Sequence, residues 1–232
     1  MFVQAIRTEL TAIRLLFSSK WTLLLLVLMY AALLGAGYLF VSTREATIAQ
    51  LALTFGLILI TPALFFALQA MSVNYVSGPS GLKKTGFDGL RLIVVTVPLI
   101  ALTALAFYGL GKIDSHQTVV VAVRYLLVGV IAPLLAIQLW IAASHDGLRS
   151  LLRRLHQVAA KTFAPQSLFI YASGVLVFAI APYFLIFHTT QIERAWLEVS
   201  LLVLRLAVSA LLVLFGWVTT IGTLTLLSKN KC

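Results

Sequence analysis

Apolar residues fill this chain in six long blocks, at positions 21–41, 47–71, 92–111, 119–143, 168–187 and 199–227. Each block reaches the roughly 20 residues that about 30 Å of hydrocarbon requires of a helix. The pattern therefore predicts an all-α integral membrane protein with six transmembrane helices in a single membrane domain. The second, fourth and sixth blocks are long enough to tilt. The connections after the first, third and fifth are short, which makes the helices they join antiparallel neighbours.

Two other stretches carry a different pattern. Over positions 146–163 a helix puts Leu148, Leu151, Leu152, Leu155, Val158, Ala159 and Phe163 on one face, and Arg149, Arg153, Arg154, Gln157 and Lys161 on the other. That is the periodicity of an amphipathic helix lying at a membrane surface, leucines among acyl chains and arginines against phosphates. Positions 2–19 predict a second interfacial helix, with Phe2, Ile6, Leu10, Ile13, Leu16 and Phe17 opposite Arg7, Arg14, Gln4 and Thr11. Glu9 falls inside that apolar arc, where a carboxylate is costly unless it is paired or reaches the headgroups. It is expected either at an exposed helix edge or in an ion pair with another basic segment.

Composition supports this class: the 232 residues are 61% hydrophobic and 10% charged, whereas soluble domains run at about 25% charged. A net charge of +10 raises the question of nucleic acid, but no zinc-finger or RNA-recognition motif appears. Nucleic acid is therefore not an expected partner, and anionic lipid headgroups are. The distribution of charge sets the orientation. With the N-terminus inside, Arg7, Arg14, Lys20, Lys83, Lys84, Arg91, Arg149, Arg153, Arg154, Lys161, Lys229 and Lys231 fall on the cytoplasmic side, against Arg44, Lys112, Arg124, Arg194 and Arg205 outside. This positive-inside bias predicts a multi-pass protein of the cytoplasmic (plasma or inner) membrane with both termini cytoplasmic. Trp21 and Trp140 then mark the inner interface and Trp196 the outer. The first twenty residues carry charges throughout and lack the core and cleavage site of a secretory signal, so the first span is expected to direct insertion. The single cysteine, Cys232, allows no intrachain disulfide and does not form a prenylation box.

Candidate chemistry is sparse. Gly78-Pro79-Ser80-Gly81-Leu82-Lys83-Lys84-Thr85 resembles a phosphate-binding loop, but Lys83 replaces the second required glycine and spanning helices flank it. The segment is expected to be a flexible loop in which Lys83 and Lys84 touch headgroups or a partner. Gln69 and Gln138 are expected to bond across helices, and Pro62, Pro98, Pro133 and Pro182 to bend four consecutive spans and free carbonyls that neighbours must satisfy. Arg124 and Arg205 each lie roughly 20 residues from the inner end of their spans, near the outer boundary. They either snorkel to phosphates or share an outer site that grips a phospholipid or phosphorylated-carrier headgroup, with Glu198 as candidate counter-ion.

Asp114, His116, His188, Glu193 and Glu198 lie in the outer loops without metal-ligand spacing, so no metal and no cofactor is assigned. No nucleophile elbow or local Ser/His/Asp signature appears, so no catalytic residue is assigned either. Two short echoes, Asp88-Gly89-Leu90-Arg91 with Asp146-Gly147-Leu148-Arg149 and Ile131-Ala132-Pro133 with Ile180-Ala181-Pro182, recur at different offsets and imply no duplication.

The expected function is a non-catalytic membrane subunit, permease-like, in a multicomponent transport system. Arg149, Arg153, Arg154, Lys161, Lys83 and Lys84 are the candidate contacts to lipid or a cytoplasmic partner protein. A lipid-headgroup-handling enzyme or binding protein and a structural scaffold are the alternatives. In outline the chain is similar to ABC-2 exporters, which have six spans preceded by an interfacial helix and a coupling segment between spans two and three, here 72–91. It departs from them in lacking an elaborated region between spans five and six and in placing its long inner helix after span four. Reporter fusions at positions 115 and 155 should report opposite sides of the membrane; the same side for both would break the topology.

Overall fold

The computed structural model describes residues 2–43, 47–78, 81–113, 118–188 and 194–229. Arg44, Asp114, His116, Glu193, Lys231 and Cys232, which enter the charge count, the metal search and the cysteine reading, lie outside them. Every element among the described residues is helical: α1 (Phe2–Ser18), α2 (Lys20–Ser42), α3 (Ile48–Asn74), α4 (Leu82–Ile113), α5 (Thr118–Leu126), α6 (Ala132–Asp146), α7 (Leu148–Arg153), α8 (Leu155–Thr162), α9 (Pro165–Val175), α10 (Ala181–Phe187) and α11 (Ala195–Lys229). A π-helical turn, Leu127–Ile131, joins α5 to α6, and another, Leu176–Ile180, joins α9 to α10. Six rods result that are long and apolar enough to cross a membrane. The helices on either side of each short connection pack together as expected, α2 on α3, α4 on α5 and α10 on α11.

The π-helical turns give the Ile-Ala-Pro echo a structural meaning. In both spans the wide turn ends on the isoleucine, and the following alanine N–H reaches back five residues, Ala132 to the Leu127 carbonyl and Ala181 to the Leu176 carbonyl. Proline cannot donate to the carbonyl four residues before it. For Pro133 that carbonyl is Gly129, and the Tyr171 hydroxyl of α9 donates to it at 2.8 Å. Pro62 and Pro98, by contrast, sit within the unbroken α3 and α4.

Burial is concentrated toward one end, where α1, the α3–α4 connection, α7, α8 and the end of α11 gather; we call this the basic end and the opposite one the far end. Phe66, Leu68 and Ala70 to Asn74 of α3, Tyr75 just beyond it, Leu92 and Val95 of α4, Ile137 to Ile141 of α6 and Leu214, Val218, Ile221 and Leu224 of α11 are buried there. At the far end α5 buries nothing, α10 buries only Pro182, and α11 buries nothing from Trp196 to Val208.

An aromatic chain runs across the core. Trp140 meets Phe65, Phe66 and Trp217 edge to face, and Trp217 meets Phe178 at 5.1 Å. Its indole nitrogens are satisfied: Trp140 Nε1 donates to Thr96 Oγ1 at 2.8 Å, and Trp217 Nε1 to Gln69 Oε1 at 2.7 Å. Gln69 thus bonds across helices as expected. Trp140 does not mark an interface: it is 4% exposed, because its indole has partners inside the bundle. Trp21 and Trp196 are exposed.

Three further sequence expectations change. α4 begins ten residues earlier than the apolar block, so Lys83 and Lys84 stand on its first turn rather than in a flexible loop. The cause is buried polar pairing: Asn74 Nδ2 donates to Asp88 Oδ2 at 2.8 Å, and Arg91 pairs with Asp88 at 3.5 Å. The basic segment is two short helices rather than one over 146–163. Gly147, at φ +78, stops α6 after Asp146, and Arg154, whose N–H bonds the Leu151 carbonyl only three residues back, separates α7 from α8. Last, α1 packs through Ala5, Ala12 and Leu16, while Ile6, Leu10 and Phe17 are exposed. Alanine lets its backbone come close to the neighbouring elements, and the Tyr75 hydroxyl donates to the Ala12 carbonyl at 3.4 Å.

Tyr75 fits there because Gly222 of α11 has no side chain; a Cβ at Gly222 would overlap the tyrosine hydroxyl. Gly222→Leu should therefore cost about 1–3 kcal/mol through overpacking, read as a lowered melting temperature of the detergent-solubilised protein. Gly109→Leu, at a position with open space around it, should leave the melting temperature unchanged or raised.

Candidate anion cleft at the basic end

The helix break at Gly147 folds α7 and α8 back beneath the end of α6. Leu151 and Val158, 4% and 6% exposed, join the core cluster of Ile137, Trp140 and Ile141. With those two residues turned inward, the charged side chains of the segment face away from the core. Leu155 and Phe163 remain exposed.

Between α6, α7, α8 and the end of α11 lies a cleft of about 240 Å³. Its polar wall is Gln138, His145, Asp146, Arg154, Lys161 and Lys229, and its apolar floor includes Ile141, Leu151 and Val158. Lys229 is anchored by a 2.8 Å bond from Nζ to Ser77 Oγ. Three cations against one carboxylate leave the cleft positive, and its donors suit a carboxylate or phosphate group. A shallower hollow beside it is lined by Asp146, Arg149, Ser150, Arg153 and Arg154.

Of the six cations predicted at this end, Arg154 and Lys161 line the cleft and Arg149 and Arg153 the adjoining hollow. Lys83 and Lys84 are exposed on α4, and Lys84 is among the charges acting on the His145 imidazole, with Lys229, Asp146 and Asp88. Sequence reasoning missed His145, Gln138 and Lys229 as members of this site. Lys229 is about seventy residues from α8 in sequence, and no periodicity links them.

The far-end candidates are held separately. The Arg124 guanidinium lies over the Phe107 ring of α4, 3.9 Å from its centroid. Arg205 of α11 donates to the His188 carbonyl at the end of α10. α5 packs on α4, and α11 packs on α10. Each arginine is therefore engaged within its own helix pair rather than with the other around a shared anion. Glu198 is exposed in the first turn of α11 and makes no ion pair among the described residues. No group of three metal-ligating side chains occurs among the described residues.

No family model, curated protein or solved structure matches this chain.

Glu9 lies at helical spacing from Ala5, Ala12 and Leu16, on the packed stripe of α1, and is partly buried. It has no ion pair among the described residues, and desolvation raises its pKa above the ordinary 4.5. A carboxyl whose folded pKa is raised binds its proton more tightly in the folded state. Its favourable contribution is therefore complete below 4.5 and is lost as pH rises through the folded value. Glu9→Gln should raise the melting temperature at neutral pH and flatten the loss of stability that the parent shows as pH rises from 4.5. An unchanged pH profile would mean that the carboxylate is hydrated in the fold.

Proposed function

We propose that this protein is a non-catalytic, multi-pass membrane subunit, the permease-like component of a multicomponent transport system. Its membrane is a cytoplasmic one, with the basic end and both termini on the cytoplasmic side, as the positive-inside bias suggests. The observation that carries this reading is the seating of α7 and α8. Leu151 and Val158 are buried against α6, so Arg149, Arg153, Arg154 and Lys161 are presented on a short rigid element rather than on a helix floating in lipid. A soluble partner with an acidic surface would be steered to it electrostatically, and an acidic side chain of that partner would enter the cleft.

The same element supplies a mechanical connection. Displacement of α7 and α8 bears on α6, and α6 starts at the π-helical turn before Pro133. Tilting about that turn would change the far half of the bundle, where protein packing is sparse. All seven Asp and Glu residues lie away from the middle of the spans, which favours energy from a partner over proton coupling within the chain.

Purification in mild detergent should recover a nucleotide-hydrolysing soluble protein in stoichiometric amount. The triple charge reversal Arg149→Glu, Arg153→Glu and Arg154→Glu should release it without lowering the melting temperature of the membrane subunit. A subunit that purifies without such a protein, or a partner that stays bound after the reversal, would refute the coupling role.

A further inference from the structure

At the far end, α4 and the span formed by α5 and α6 diverge and leave a groove of about 600 Å³ open to the side. Its walls are almost wholly apolar, with Thr96, Ala104 and Phe107 on α4 facing Tyr125, Val128 and Ala132. The one hydroxyl at its deep end, Thr96 Oγ1, is already engaged, accepting from Trp140 and donating to the Leu92 carbonyl. From Thr96 to Phe107 the groove follows α4 for about 16 Å at 1.5 Å per residue. That is close to half of the roughly 30 Å hydrocarbon thickness, the depth of one leaflet.

The mouth of the groove is cationic. The Arg124 guanidinium rests on the Phe107 ring and against Gly111, one helical turn further along α4, where any side chain would crowd it. Lys112, the next residue, lies over Tyr108 with Nζ 4.9 Å from the ring centroid. The only ion pair among the described residues is Arg91 with Asp88, so neither cation pairs with a carboxylate of those residues. The Arg124 Nε atom is buried without a hydrogen-bond partner.

We propose that this groove holds one acyl chain of an anionic phospholipid from the leaflet at the far end, with the lipid phosphate engaged by Arg124 and Lys112. An apolar channel one leaflet deep, capped at its polar end by two cations, matches a lipid in both length and charge. The assignment separates Arg124 from Arg205: the former is a lipid ligand, and the latter is committed to the His188 carbonyl. It does not depend on whether the basic end docks a transport partner.

Nanodiscs containing the full chain and phosphatidylglycerol with a diazirine on one acyl chain test this directly. Photolabelled peptides should map to 96–107 and 125–136 in preference to the exposed face of α2 around Leu34 and Leu39. Arg124→Gln should reduce labelling by phosphatidylglycerol about tenfold, the worth of one charge-assisted hydrogen bond. The matching phosphatidylcholine probe carries its own choline cation beside the phosphate, so its labelling should start weaker and fall less. Ala104→Phe, at an exposed position within the groove, should abolish labelling by both probes at an unchanged melting temperature. Labelling spread evenly over α2 and α4, an Arg124→Gln variant that loses both lipids equally or neither, or cross-links from the groove to a second copy of the chain would each overturn the proposal.

Discussion

Trp217 is the point on which the bundle depends. Its ring lies edge to face between Trp140 of α6 and Phe178 of the fifth span, and its N–H is satisfied by Gln69 of α3. One side chain of α11 therefore joins four of the six rods. In lipid, helices gain little from the hydrophobic effect, because acyl chains solvate leucine as well as a protein core does. Association rests on close packing, on aromatic contacts worth about 0.5–1.5 kcal/mol each, and on polar groups that would otherwise be unpaired in hydrocarbon. The Trp140–Thr96 and Asn74–Asp88 bonds are of the same kind. All of them lie on the half of the molecule toward the basic end.

That asymmetry organises the rest. Where polar and aromatic contacts accumulate, the helices converge, α1 lies close to α11, and the α7–α8 element is seated. Toward the far end the sequence offers branched and aromatic apolar residues with few partners, such as Leu102, Leu105 and Tyr108 of α4, all exposed. The helices there pack sparsely, each arginine finds a partner on the helix it packs against, and a lateral groove opens between α4 and the span of α5 and α6. A tight end that carries charge and an open, apolar end follow from where the polar residues sit along the spans.

The six spans were legible because length and apolarity are one-dimensional quantities, and the boundaries agree to within a few residues at most ends. The exceptions have local causes. The early start of α4 depends on Asn74 meeting Asp88, two residues fourteen apart whose pairing no periodicity announces. The break at Arg154 lies in a sequence whose helical pattern is uninterrupted, and packing of both flanking halves against α6 overrides it. The Asp-Gly-Leu-Arg echo illustrates the limit: the first copy is continuous helix with Asp88 buried, and the second contains the positive-φ Gly147 that ends α6. Half of the candidate cleft was visible as the cationic stripe of 146–163. Of the other half, Gln138 and His145 share one face of α6 with Asp146 at helical spacing, and Lys229 depends on tertiary proximity alone.

The bond from Tyr171 to Gly129 joins the two spans that a π-helical turn interrupts. Gly129 belongs to the π-helical turn of the fourth span, and Tyr171 stands five residues before the π-helical turn of the fifth, with its ring against Phe178 inside that turn. One hydroxyl thus ties the two bends together: straightening either span in isolation would break a bond worth about 0.5–1.5 kcal/mol.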